Sequence, residues 1–190
     1  PEESAKCNVL PKGFEAQLFV SEPNIVNPID MVWDDRGRLF VAETLDYPND
    51  MQEMGKGNDR IKICEDTNGD GKADKFTIFA DKLSIPTSIC FSDGGIIVAQ
   101  APVFIFLKDT NGDDKADVIK EINKGWGIGD THAGPSNLKY GLDNKIYGSI
   151  GYSDGPNGVR SGLFTMNPDG SNVEPLTNFN NNTWGLGLSE

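Results

Sequence analysis

The protein has 190 residues and a formal net charge of −12, from 29 Asp and Glu against 17 Lys and Arg, with 37% apolar residues, 22 Gly and 11 Pro. That size suits one domain able to bury a core, and no apolar run approaches the ~18 residues of a membrane-spanning helix. The acid excess lacks the clustered cations that phosphate backbones require, so nucleic acid is excluded as an expected partner.

Plentiful Gly, Asn, Asp and Pro with sparse Ala and Leu predict short strands joined by turns rather than a helical bundle. The chain begins at Pro1, with neither an initiator Met nor a signal sequence, which reads as a processed chain outside the cytoplasm. The first element, Ile29–Glu43, reads strand, Asp-Arg-Gly turn, strand. The same pattern recurs over Thr87–Gln100 and Ser136–Ile150, and Thr183–Ser189 begins a fourth copy. With Met31, Ile89, Leu138 and Leu186 as equivalent points, the spacings are 58, 49 and 48 residues. Between these hairpins, Arg60–Cys64 pairs in expectation with Phe76–Phe79, and Val103–Leu107 with Val118–Ile122.

Two hairpins per unit give four strands, the arithmetic of a β-propeller blade. The predicted fold is therefore all-β: a β-propeller of about three and a half four-stranded blades, with units near 27–86, 87–135 and 136–182 and a fourth begun at 183. Such a piece does not close a ring, so the sequence reads as part of a longer chain. The alternative is a small open assembly whose edges pair with another copy.

Two acidic segments carry the strongest chemical signal. Asp66, Asn68, Asp70, the Lys72 carbonyl and Asp74 form one set of oxygen donors; Asp109, Asn111, Asp113, the Lys115 carbonyl and Asp117 form the second. Positions 1, 3, 5, 7 and 9 of such a loop wrap a cation of Ca²⁺ size, which takes 6–8 oxygens at ~2.3–2.6 Å. The flanks IKIC, FTIF, FIFL and VIKEI have strand composition, and the twelfth positions are Thr77 and Lys120, so these are hairpin tips rather than EF-hands. Asp114 stands where the first loop has Gly71, at a position expected to have positive φ, which predicts weaker binding in the second loop. The role expected of both ions is structural.

Among the three cysteines, Cys64 and Cys90 lie in apolar runs and read as buried free thiols, with a Cys64–Cys90 disulfide as the alternative. His132, the lone histidine, lies in a Gly/Pro-rich loop entering the third unit's inner strand, where a base would face a central channel. The competing reading has it hold Asp130 or a carbonyl within a tight loop. Glu43 is expected to line the channel, Trp33 to be core and Trp126 to be an exposed platform for sugar rings.

The stretch from His132 to Gly151 resembles the His…Leu…Gly-x-Asp-Gly-x-Leu-Tyr-x-x-x-Gly segment of glucose/sorbosone dehydrogenase propellers. A closer resemblance, covering nearly the whole chain, is to the secreted propellers of planctomycete-type bacteria called membrane-bound dehydrogenases. Gly37-Arg-Leu-Phe-Val-Ala-Glu43, Tyr47-Pro48, both DTNGD loops and Gly129-Asp-Thr-His132 carry it. The resemblance implies a six-bladed ring that oxidises sugars or alcohols with pyrroloquinoline quinone (PQQ), His132 taking the substrate's hydroxyl proton. It also implies a downstream cytochrome c segment as electron acceptor. Where the characterised enzymes carry Arg-Asn before a Gly-Leu pair, this chain has Asn180-Asn-Asn-Thr-Trp-Gly-Leu, without the basic group. A second function class stands beside the enzyme: a non-catalytic, calcium-stabilised secreted propeller that binds glycans or assembles with partners.

Overall fold

The computed structural model describes residues 1–49 and 51–189. A short helix, α1 (Glu2–Lys6), precedes twelve strands: β1 (Pro28–Trp33), β2 (Leu39–Glu43), β3 (Asp59–Glu65), β4 (Lys75–Leu83), β5 (Ser88–Ser92), β6 (Gly95–Gln100), β7 (Val103–Lys108), β8 (Val118–Lys124), β9 (Pro135–Tyr140), β10 (Ile146–Ile150), β11 (Gly162–Met166) and β12 (Glu174–Asn178). They form three antiparallel four-stranded sheets, each a simple meander: β1–β4, β5–β8 and β9–β12. The architecture is all-β and propeller-like, as the alternation of apolar residues and turn formers predicts. Residues 183–189, expected to open a fourth unit, form no strand.

The turns show why the hairpins close where they do. Asp93 and Gly94 link β5 to β6 with φ of 47° and 70°, so both central residues are left-handed and match the twist of the flanking strands. Between β1 and β2, Asp34 Oδ1 accepts the N–H groups of Arg36 and Arg38 at 3.0 and 2.8 Å, and Gly37 supplies the φ of 75°.

The sheets stack face to face, and the middle one is buried on both sides. In β6, Ile96 and Val98 join Phe40, Ile61, Ile63 and Phe79 of the first sheet. The alternate residues Ile97 and Ala99 join Phe164, Ile146 and Leu138 of the third. Full burial of one such side chain contributes roughly 1.5–3 kcal/mol, and this is why β6 is apolar throughout rather than alternating with polar residues.

Inner strands β1, β5 and β9 converge, and side chains satisfy the edges that no neighbouring strand pairs. Asp30 Oδ2 accepts the Ser88 hydroxyl at 2.6 Å and the Ile89 N–H at 2.9 Å. Ser88 Oγ in turn accepts the Leu138 N–H at 2.9 Å. β1 thus caps β5, and β5 caps β9.

Three expectations are corrected. Trp126 is no platform: it is 2% exposed, stacked on Phe104 at 4.4 Å, with its indole N–H donated to Asn123 Oδ1 at 2.6 Å. Trp33 is not core but 53% exposed, edge-on to Phe19, because its side of β1 faces away from the second sheet. Glu43 lines no channel: it is fully buried, accepting the Val26 N–H at 2.8 Å and the Lys62 ammonium at 2.9 Å, with Arg60 as a further partner. A carboxylate left unpaired at that depth would be costly, and two cations opposite it in β3 remove the penalty.

Cys64 and Cys90 are buried free thiols and form no disulfide; burial pushes both thiols up to about 11.

Candidate active-site rim and acidic loops

Meander topology assigns every connection to one of two rims. The β2–β3, β4–β5, β6–β7, β8–β9 and β10–β11 loops share one rim, whereas the β1–β2, β3–β4, β5–β6, β7–β8, β9–β10 and β11–β12 turns share the other. Strands of five or six residues separate the rims by about 17–20 Å.

His132 occupies the first rim, on the loop entering β9. Its backbone N–H donates to Asp130 Oδ1 at 2.9 Å, and its Nδ1 lies 3.3 Å from the same oxygen. That close contact keeps Nδ1 on the Asp130 side of the ring, so Nε2 is the ring nitrogen turned away from the carboxylate. The ring is 59% exposed and meets Tyr47 edge to face at 5.0 Å. Tyr47 comes from the β2–β3 loop of the first sheet, so the rim brings two sheets to one place.

A buried carboxylate sets that loop. Asp59 Oδ2 accepts the Thr44 hydroxyl at 3.0 Å and the Ile85 N–H at 2.5 Å, while Oδ1 accepts the N–H groups of Leu45 and, at 2.9 Å, Asp46. Asp46 then accepts the Asn58 N–H and side-chain amide at 2.9 and 2.7 Å. Sequence reasoning missed Asp59 because three of its four donors are backbone groups that no pattern reveals. The Tyr47 signal was present in the Tyr-Pro motif, but not its partner.

The acidic loops lie on the opposite rim, at the β3–β4 and β7–β8 hairpin tips, so they do not approach His132. Both fold through the same internal bonds. Asp66 accepts the Gly69 and Gly71 N–H groups, each at 2.7 Å, as Asp109 accepts those of Gly112 and Asp114 at 2.7 and 2.9 Å. Asn68 and Asp70 cap the N–H two residues on, as do Asn111 and Asp113. Asp74 and Asp117 accept the hydroxyls of Thr67 and Thr110 at 2.8 and 2.9 Å. The Gly71 N–H holds the Asp66 carboxyl below the ordinary carboxylate range; at Asp109 burial pushes up, but the N–H bonds outweigh it and the net shift is down.

Lys72 and Lys115 present backbone carbonyls at the seventh positions. The donor chemistry of both loops is all oxygen, of the kind a hard cation takes. Among the described residues, no three His, Cys, Asp or Glu side chains converge as a metal cluster.

Asp114 departs from the loop pattern for a visible reason. Its φ is 63°, as its position requires, and its carboxylate leaves the loop for the first sheet. It lies 2.6 Å from Arg38 Nη1 and 3.2 Å from Arg36 Nη2, while Asp34 holds Arg38 Nε at 2.8 Å. The Arg38 guanidinium keeps the Asp114 carboxyl below its ordinary value. These groups border a cavity of about 600 Å³ with Trp33, Phe91 and Tyr140 between the hairpin tips.

The family model for a domain of unknown function, DUF7133, matches residues 1–190. The chain belongs to that family. No curated protein matches the sequence. Among solved structures, this DUF7133 chain is similar to the Trichoderma reesei carbohydrate-active enzyme of family AA12 in its iodide structure, with TM-score 0.58, 16% identity, and 88% of this chain and 41% of that one covered. The calcium structure of the same enzyme gives TM-score 0.52 at 14% identity over 78% and 35% of the two chains. The holo PQQ domain of pyranose dehydrogenase from Coprinopsis cinerea gives TM-score 0.52 at 15% identity over 76% and 34%. The chain thus spans about a third to two fifths of the length of these structures. At such identities the likeness is one of fold alone, shared with the PQQ domain of a pyranose dehydrogenase and a carbohydrate-active enzyme of family AA12.

Proposed function

We propose that residues 1–190 form part of a six-bladed β-propeller in an extracytoplasmic, quinone-dependent dehydrogenase of sugars or alcohols, with units at 27–86, 87–135 and 136–182 and a fourth from 183. The observation that carries this reading is the oriented His132: Nδ1 against Asp130, the ring against Tyr47, on the rim where inner strands converge. In this reading Nε2 takes the proton of a substrate hydroxyl, and the resulting imidazolium is stabilised by Asp130.

PQQ would supply the two-electron acceptor. Its carboxylates call for cations, and the partners of His132 among the described residues are Asp130 and Tyr47, neither of them cationic. Those contacts therefore fall to the remainder of the protein, as does a cytochrome c segment.

The two acidic loops are assigned calcium, with Asp66, Asn68, Asp70, the Lys72 carbonyl and Asp74 as ligands in one and Asp109, Asn111, Asp113, the Lys115 carbonyl and Asp117 in the other. The shared turn geometry and oxygen-only donors support this. Lying about 17–20 Å from the His132 rim, the ions would brace hairpins rather than touch substrate.

The test uses the full protein loaded with PQQ and calcium. Dye reduction with sugars or alcohols is expected, and His132→Asn should lower kcat at least about a hundredfold with its unfolding midpoint unchanged. Full turnover in that variant overturns the base assignment. EGTA should lower the melting temperature by several degrees; no bound calcium and no shift reject the ion sites. Among the described residues the partners of His132 include no cation, which favours the second reading, a non-catalytic propeller for glycan binding or assembly that predicts glycan retention without dye reduction.

A further inference from the structure

The first acidic loop docks on the N-terminal segment as the second docks on β4. The Ala116 N–H donates to Phe79 O of β4 at 2.7 Å, and the Ala73 N–H donates to Phe19 O at 2.9 Å. Side chains repeat the correspondence. Between the first and second sheets, Phe79 and Ala80 of β4 pack with Ile96, Val98 and Leu107. On the outer face of the first sheet, Phe19 and Val20 pack with Leu39, Val41 and Cys64. Leu39 and Cys64 are cross-strand partners in β2 and β3, as Ile96 and Leu107 are in β6 and β7. Phe19 therefore stands where the outermost strand of another sheet would stand.

The strand it mimics has no sheet. Among the described residues, the Ala73–Phe19 bond is the one backbone–backbone hydrogen bond of residues 15–20. The opposite wall is missing too. Phe40, Ala42, Ile61 and Ile63 supply that wall between the first two sheets, whereas Ile29, Met31 and Trp33 on the outer side of β1 are 39%, 52% and 53% exposed.

We infer that residues 15–20 are the outermost strand of a further sheet whose three inner strands come from the same protein beyond Glu190. Three strands arriving there pair with residues 15–20, cover Ile29, Met31 and Trp33, and close the ring. A second copy of this chain fits less well. Its terminal sheet already carries β12 as the outer strand, which would compete for the place residues 15–20 hold. The related solved chains are long enough to supply the missing strands, since this chain spans 34–41% of them. The inference rests on the propeller reading and not on the dehydrogenase chemistry.

Hydrogen exchange on the full-length protein tests it without reading activity. Alternate amides within residues 15–20 are expected to exchange as slowly as those of β4, and Leu18→Pro to abolish that protection and speed exchange at Met31 and Trp33. Exchange at residues 15–20 as fast as in the exposed residues 180–182 overturns the proposal. Protection that fades on dilution, with a dimer in sedimentation, also overturns it in favour of pairing between copies.

Discussion

Asp59→Asn separates a hydrogen-bonding role from a steric one, because the side chains have nearly the same shape. The native carboxylate is fully buried and accepts four donors: the Thr44 hydroxyl and the N–H groups of Leu45, Asp46 and Ile85. An amide retains one oxygen and turns two N–H groups toward the remaining pair. With that oxygen facing Leu45 and Asp46, the Thr44 hydroxyl rotates to accept, and the Ile85 N–H is left without an acceptor. A buried donor in that state costs ~1–3 kcal/mol, and replacing a charge-assisted acceptor by a neutral one adds about 1 kcal/mol. Ile85 worsens the balance, since it is a β-branched residue at φ 49° whose N–H the carboxylate pins. The expected loss is about 2–4 kcal/mol, a large share of the roughly 5–15 kcal/mol that holds a domain. Urea unfolding at neutral pH should move the midpoint down by about 1 M, and Asp59→Ala, which orphans all four donors, should move it further. An Asn variant within about 0.2 M of the parent midpoint would refute the reasoning.

Further outcomes follow from the same contacts. Trp126→Ala should cost ~3–5 kcal/mol in the same assay, since the indole fills the space between Phe104 and Phe164 and leaves a cavity there. The Asp114–Arg38 contact gives an acid dependence: with the folded pKa depressed, its stabilisation is complete above the ordinary carboxylate value of ~3.9 and lost as pH falls through the lower folded value. The melting-temperature gap between the parent and Asp114→Ala should therefore be widest near neutrality and close on acidification; a gap unchanged down to ~pH 2 contradicts the assignment. Iodoacetamide at ~pH 8 should label the exposed Cys7 alone in native protein, because thiols at about 11 are protonated as well as covered. Native labelling of Cys64 or Cys90 at the rate of Cys7 would count against their burial.

Strand positions were legible because they depend on neighbours in sequence: two-residue alternation and Gly, Asn or Asp where φ must be positive. What covers each face depends on other sheets, and there sequence reasoning inverted two tryptophans. Trp33 keeps strand periodicity, but its side of β1 meets Phe19 and solvent; Trp126 sits among glycines, yet folds back on Phe104. Glu43 looked like channel lining because the register that sets Arg60 opposite it in β3 is a tertiary fact. At Asp114 half the information was present. The departure from Gly was visible, but not Arg38, 76 residues away, which gives that departure its use.

The caps on the inner strands run in one direction, with Asp30 serving Ile89 and Ser88 serving Leu138. Asp30 and Ser88 each lie two residues after a proline, Pro28 and Pro86. A module of this kind carries its own fastener for whatever module succeeds it. Lineages could therefore add or delete whole units without redesigning the junctions, and a nascent chain leaving the ribosome always presents the clasp before the strand it receives.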